Sequence, residues 1–506
     1  MNSPAEIPFL NFIQLDRQQS HAIYLQLAQQ LVNAIQRGYL LLGTRLPGTR
    51  TLSQLLNVHR QTIVRAYQEL EAQGWIESLP NKGTFVINNR ANSTQRLDTS
   101  SIAFAQYPEK TGFHFTVSNI LSSPFEYASH PYQFNDGAPD IRLTQFDQLS
   151  SLYSASMKRK STRRKMEHHH YGGSTYFREQ LSNYLNYSRG LHISRDNILV
   201  TRGTEMSLYL IAKLLLKPND TVLVAELSNF TANMIFQDAG ACVETISLDE
   251  DGIDPEAIRE KLKSKKVRLV YITPHHHYPT TVTLSAERRI ALLKLAEEHG
   301  FVIVEDDYDY DFQYEKGIAM PIASADTHGM VVYIGTFGKS LAPNFRAGFI
   351  VAPVNLTAEL QKYVDLIDHQ GDILMEQVLG EMIEEGDIHR FLKKSLKIYR
   401  ERRDHLCQCL DEQFADLLSY KKPAGGLAFW LEWKSPISLM QLVVRCQKNN
   451  LFIPKNMLYQ NHKTTAIRLG FGHLTIDEMT TAMTILQQTV LEMIPTDVSI
   501  GDTLKK

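Results

Sequence analysis

The stretch Tyr333-Ile-Gly-Thr-Phe-Gly-Lys-Ser-Leu-Ala-Pro-Asn-Phe-Arg346 decides how most of this chain folds. It continues an apolar run, residues 331–334, that reads as a buried strand ending in Gly335, Thr336 and Gly338. Small residues at a strand's carboxyl end let the backbone approach a ligand, and open α/β sheets bind ligands at that edge. Lys339 is the side chain presented there. An amine so placed forms a Schiff base with an aldehyde once burial or nearby positive charge has lowered its pKa. Arg346 adds a fixed fork of donors suited to phosphate.

Outward from this loop, residues 301–305 read as another buried strand, running into Asp306, Asp307 and Tyr308. A carboxylate there can keep a pyridine nitrogen protonated, and a phenol two residues on can bond the ring hydroxyl. A third strand, 197–200, leads through Thr201-Arg202-Gly203-Thr204-Glu205 into a helix over 206–216, whose free N–H groups make a phosphate cradle. Alone, the lysine and arginine would be ordinary solvated loop residues. Lysine, carboxylate, phenol, cradle and arginine, each at a strand end, make a site.

Three segments carry a resemblance: Thr336-Phe-Gly-Lys-Ser-Leu-Ala-Pro-Asn-Phe-Arg-Ala-Gly348, Glu305-Asp-Asp-Tyr308 and Thr273-Pro-His-His-His-Tyr-Pro-Thr280. They resemble the lysine loop, aspartate motif and asparagine-proline loop of the fold-type I pyridoxal-phosphate aminotransferases, over roughly residues 130–490. Asn135-Asp-Gly-Ala-Pro-Asp140 and the segment from His170 to Arg178 are similar to further family segments. The resemblance implies an α/β body with large and small domains, and pyridoxal 5′-phosphate on Lys339. It implies a cofactor site of Asp306, Tyr308, Arg346, Gly203, Thr204, Thr336, Phe230 and Tyr278, with Arg468 receiving a carboxylate. Phe230 stands where the family stacks an aromatic on the pyridine ring. From the residues alone, a core phenylalanine is as good a reading.

Three departures limit what is carried over. Tyr278 stands at the asparagine position and Thr281 at the usual glycine, Glu205 puts negative charge beside the cradle, and Phe230 lacks a tyrosine hydroxyl. They point to sensing more than to turnover.

A chain of 506 residues exceeds one ordinary core, so at least two domains are expected. Net charge of −2 and an apolar fraction of 43% fit a globular protein and name no partner. Cys242, Cys407, Cys409 and Cys446 contain no CxxC, which predicts a reduced, cytoplasmic protein. Residues 1–11 lack signal-peptide character and no apolar run is long enough to span a bilayer, so no membrane partner is expected. His168 to His170 and His275 to His277 read as polar loop residues, since adjacent histidines point different ways; no metal is assigned.

Residues 21–87 read as a separate unit. Tyr24, Leu25, Ala28, Leu31, Val32 and Ile35 predict an amphipathic helix over 22–36, stopped by Gly38. Leu46-Pro47-Gly48 reads as a turn, 51–56 as a second helix, Asn57-Val58 as a tight turn, and 60–73 as a third helix with Ile63, Val64, Ala66 and Leu70 inward. Residues 75–78 and 84–87 flank 80–83 as a hairpin, completing a winged helix-turn-helix. Arg60, Gln61 and Thr62 lead the helix expected in the major groove of double-stranded DNA, while Arg50 and Lys82 reach phosphates. A charge balance of +3 over residues 1–90 is a weak footprint, and some winged helices only join proteins. Residues 46–67, followed by Leu70-Glu-Ala-Gln-Gly-Trp-Ile76, resemble the GntR family of bacterial regulators closely.

Residues 88–101, rich in Asn, Ser, Thr and Arg, read as a flexible linker. Residues 113–132 read as a first helix and lead-in of the body. Apolar strands at 198–201, 221–225, 242–246, 268–273, 301–305, 331–335 and 347–351 alternate with helices, which predicts a mostly parallel, doubly covered sheet. Beyond Pro353, β-type runs at 425–433 and 466–471 predict the smaller domain.

The expected order is a winged helix over 15–87, a linker over 88–112, and an aminotransferase class I/II-like effector and dimerisation unit over 113–506. This order resembles the MocR subfamily of GntR-type regulators. The resemblance implies a transcription factor that senses pyridoxal phosphate or an amino effector through an internal aldimine and dimerises head to tail. Two other readings stand beside it: an active aminotransferase with a DNA-binding appendage, and a body that has lost the cofactor and only dimerises.

Overall fold

The computed structural model describes residues 9, 13–16, 22–80, 82–87, 108–126, 129–167, 172–315, 320–341, 346–369 and 371–493. His168 to His170 and the stretch 88–101 lie outside them. The chain divides into two compact units, one running to Phe115 and the other starting at Thr116.

In the first unit, α1 (Ile23–Gln36) buries Leu27, Ala28, Leu31, Val32 and Ile35. Leu25, expected inward, is exposed and Leu27 takes its place, because the stripe follows 27, 31 and 35. A short strand β1 (Arg45–Leu46) precedes α2 (Thr49–Leu56) and α3 (Arg60–Ala72), and β2 (Ile76–Leu79) and β3 (Gly83–Val86) form the hairpin. β1 pairs with β3, so the wing has three strands where two were expected, and Leu46 belongs to a strand, not to the turn. Asn57 closes α2 in the left-handed region (φ 51°), which reverses the chain toward α3. The Ser53 hydroxyl ties the turn by donating to the Val58 carbonyl at 2.8 Å. Leu27, Leu31, Leu52, Ile63, Ala66, Tyr67, Leu70 and Ile76 share one core. Tyr67 fills the inward place expected of Val64, and its hydroxyl donates to the Pro47 carbonyl.

In the described residues 108–126 there is no helix. The helix expected there fails on period: Phe113, Phe115 and Val117 alternate, and all three are exposed.

The second unit is built on seven strands: β4 (Ile198–Thr201), β5 (Thr221–Ala225), β6 (Cys242–Ile246), β7 (Val267–Ile272), β8 (Val302–Asp306), β9 (Val331–Thr336) and β10 (Gly348–Val351). Their order is β4-β10-β9-β8-β7-β5-β6, parallel except for β10, which runs against both neighbours. Alternate residues serve opposite faces: Leu199, Val222, Val304 and Ile334 enter one core, while Leu223, Val270 and Ile303 enter another. Helix α4 (Thr204–Leu215) follows β4, and α5 (Phe230–Asp238) follows β5.

The reversal of β10 matters for the site. Its first residue, Gly348, pairs with Thr336 and with Thr201, so the start of β10 meets the carboxyl ends of β4 and β9. A Cβ on Gly348 would stand 2.7 Å from the Gly203 Cα, so only glycine lets these backbones meet.

The smaller domain carries a second sheet, β11 (Leu418–Tyr420), β12 (Ala428–Trp433), β13 (Leu458–Gln460) and β14 (Thr465–Gly470), ordered β11-β12-β14-β13 and antiparallel. Ile467 and Leu469 enter a core with Phe429, Leu406, Leu410 and Leu486. The two-residue period turns Arg468, between them, to the other face.

Candidate functional site

The strand ends of the large sheet surround a cavity of about 380 Å³ lined by Gly203, Thr204, Phe230, Tyr278, Asp306, Tyr308, Thr336, Lys339 and Arg346. All nine residues expected around the cofactor therefore meet there. The volume falls in the range of small-molecule sites.

Lys339 is partly buried, with Nζ 4.4 Å from the centroid of the Tyr308 ring. Burial pulls its pKa below the ordinary lysine value, with Asp309 acting against this and Arg468 in its favour. Such an amine has its lone pair available more often than a solvated one. Asp306 is buried at the end of β8, and its Oδ2 accepts from the Tyr271 hydroxyl at 2.7 Å. Its buried Oδ1 has no hydrogen-bond partner among the described residues. Burial pushes this carboxyl up to about 7, although the Tyr271 hydrogen bond opposes the rise.

Helix α4 starts at Gly203 (φ 116°) without a side-chain cap. Its first-turn N–H groups are thus open to an anion. Arg346 comes to the same edge and pairs with Glu205 at 3.4 Å, both side chains more than half exposed. A pair so wet is weak and leaves Arg346 able to turn to a stronger anion. Phe230 is partly buried and meets Phe125 edge to face at 5.3 Å. The Thr336 hydroxyl donates to the Ala347 carbonyl and accepts from the Gly338 N–H, shaping the turn before Lys339.

The two phenols are engaged. The Tyr308 hydroxyl donates to the His276 carbonyl at 2.8 Å and accepts from Arg468. The Tyr278 hydroxyl donates to Asp136 Oδ2 at 2.7 Å. Arg468, expected to receive a ligand's carboxylate, is 1% exposed and already holds one: its Nε is 2.7 Å from Asp136 Oδ1. Sequence reasoning missed Asp136 and Tyr271. For Asp136 the signal was Arg468 itself, a cation flanked by apolar residues that needs an anion.

His275, His276 and His277 are buried, contrary to the polar-loop reading, and each has a partner: Asp307, Asp309 and the Thr280 hydroxyl. They follow β7 and are buried, where an unpaired imidazole would be costly. Among the described residues, no group of three or more His, Cys, Asp and Glu side chains is arranged to hold a metal, and no helix is long and apolar enough to cross a membrane.

The donor set fits pyridoxal phosphate. An unpartnered buried carboxylate oxygen, an amine of lowered pKa, and an uncapped helix start beside an arginine match its pyridine nitrogen, aldehyde and phosphate.

In the winged helix, His59 caps α3 by accepting from the Gln61 N–H at 3.2 Å. Arg60 and Gln61 are exposed at the helix start and Thr62 is partly so; Arg50 and Lys82 are exposed on α2 and in the wing turn. Arg60 Nε donates to the Thr49 hydroxyl at 3.3 Å, which braces it against α2.

Residues 23–86 match the model of the bacterial regulatory proteins of the gntR family, and residues 138–304 that of the class-V aminotransferases. The probable rhizopine catabolism regulatory protein MocR of Rhizobium meliloti is 27% identical over 82% of each chain. The HTH-type transcriptional regulator TauR of Rhodobacter capsulatus is 25% identical over 86% of this chain and 89% of that one. Among solved structures, the kynurenine aminotransferase of Pyrococcus horikoshii superposes with a TM-score of 0.65 at 26% identity, covering 74% of this chain and 92% of that one. With this fold and these relatives, the chain is a DNA-binding regulator similar to MocR and TauR, a gntR-family winged helix joined to a fold-type I aminotransferase-like body.

Proposed function

We propose that this regulator binds pyridoxal 5′-phosphate at Lys339, and that cofactor or an amino compound there sets the grip of the winged helix on its operator. The observation that carries this reading is the buried Oδ1 of Asp306, which has no hydrogen-bond partner among the described residues, in one cavity with Lys339 and the start of α4. Lys339 is the nucleophile. Asp306 keeps a pyridine nitrogen protonated and is itself held by Tyr271. Gly203, Thr204 and Arg346 hold a phosphate, Phe230 covers the ring, and Tyr308 and Tyr278 wall the side facing Arg468. When bound, the cofactor supplies an aldehyde that captures primary amines. The P. horikoshii relative was solved in complex with PMP, which supports the assignment. Arg60, Gln61 and Thr62 read bases while Arg50 and Lys82 meet phosphates. A cytoplasmic homodimer presents two winged helices to two half-sites.

Soaking in excess cofactor followed by borohydride reduction should add the cofactor's mass to the peptide holding Lys339, and Lys339→Ala should stay colourless. A wild-type protein that gains neither colour nor mass sinks the reading. In a gel shift with DNA upstream of its own gene, Arg60→Ala should lose the complex while keeping its visible absorbance. The lowered pKa of Lys339 also favours a second reading, an active aminotransferase. Steady turnover of an amino donor with a keto acid is its test.

A further inference from the structure

The cavity has a wall that a ligand-receiving arginine would normally occupy, and here it is already filled from within the chain. Arg468 is 1% exposed, while Asp136, 25% exposed, lines the cavity in front of it. Two of its nitrogens donate hydrogen bonds and the third makes an ion-pair contact. Nε faces Asp136 Oδ1 at 2.7 Å, one terminal nitrogen donates to the Pro279 carbonyl at 2.7 Å, and the other to the Tyr308 hydroxyl at 3.3 Å. Its face lies 4.8 Å from the centroid of the Tyr278 ring, and the Tyr278 hydroxyl binds the other oxygen of Asp136.

Asp136 is fixed in place by its backbone. The Asn135 side chain accepts from the Gly137 and Ala138 N–H groups at 3.0 and 2.9 Å, a local turn that holds the residue between them. The Asn135 carbonyl accepts from the Gly470 N–H at 2.8 Å, which ties the turn to the end of β14, two residues past Arg468. A Cβ on Gly470 would stand 2.3 Å from the Gly137 nitrogen, so the two segments are in close contact. The pair is thus held by main chain on both sides.

We propose that Asp136 stands in for a ligand's carboxylate on Arg468, so that the site accepts primary amines carrying no carboxylate on the amino carbon. The proposal rests on Lys339 as the amine-capturing group and deepens that reading by naming the ligand class. An α-amino acid would bring a second anion against Asp136, or would have to break a buried ion pair whose removal strands a charge. A simple amine brings neither cost.

Ethylamine and L-alanine differ by the carboxylate alone, so they are the probes. Visible absorbance of the cofactor-loaded protein, titrated with each, should half-saturate with ethylamine at a concentration about tenfold or more below that for L-alanine. Asp136→Asn, which keeps an acceptor for Tyr278 and removes the charge, should reverse that order. Tighter response to L-alanine in the wild type, or an unchanged order in Asp136→Asn, overturns the proposal. The second measurement needs no cofactor: calorimetric titration of cofactor-free protein with propionate should give no saturable heat in the wild type and saturation in Asp136→Asn. Saturation in the wild type, or none in the variant, overturns it as well. A protein that never takes up pyridoxal phosphate defeats the function proposed above, and the propionate titration still decides this point. Should circular dichroism show Asp136→Asn unfolded, the two wild-type titrations decide alone.

Discussion

Asp306 shows what a single buried group does to the behaviour of the body. Its carboxyl is pushed up to about 7 by burial, and those of Glu305 and Glu376 are pushed to about 7 for the same reason. A carboxyl whose folded pKa lies above its unfolded value favours the fold while protonated. That contribution is present below about pH 4 and is lost as pH rises through about 7. The melting temperature of cofactor-free protein should therefore fall between pH 5 and pH 8, and Asp306→Asn should make the fall shallower. An identical slope in the variant would remove Asp306 from the account. At this scale the sequence spoke clearly wherever a residue ended an apolar strand: Lys339, Asp306, Gly203 and Arg346 all line the cavity as read. It was silent on Asp136, whose meaning depends on a partner far along the chain, and on Tyr271, which in sequence is one more apolar strand residue.

Elements were legible to the extent that both their faces are covered. The seven strands of the large sheet were read within a residue or two: most are apolar runs buried on both sides, while β6, at the sheet edge and largely uncovered, was read from its alternation with helices. The Arg45–Leu46 strand was not, since two residues carry no period and its only warrant is pairing with β3. Position along α1 and α3 was misread at one side chain each: Leu27 takes the buried place expected of Leu25, and Tyr67 that expected of Val64. Two predictions belong here. Ile63→Ala, at a fully buried site in α3, should cost the winged helix about 2–5 kcal/mol and abolish the gel shift, while the body keeps its absorbance in the presence of cofactor. Gly348→Ala forces β10 off Gly203 and should cost about 1–3 kcal/mol with weaker cofactor uptake, read by thermal melting and by absorbance titration.

For the molecule as a whole, the sequence gives the order of parts and little about their coupling, because composition and period are local properties. DNA binding should depend steeply on salt, and Lys82→Ala should lower the slope of log affinity against log salt by about 1, with sequence preference kept. An unchanged slope would take Lys82 off the phosphates. Proteolysis between residues 88 and 112, the stretch that reads as a linker, should give two fragments, the shorter shifting DNA and the longer retaining colour. The place of β10 has one more consequence. Because it slots between β4 and β9, the cavity floor is finished only after residue 351 is synthesised, whereas the three-stranded wing closes with residue 86. On the ribosome the winged helix is therefore complete long before the strand ends of the body can meet, and a message broken anywhere between yields a head joined to an unfinished cavity.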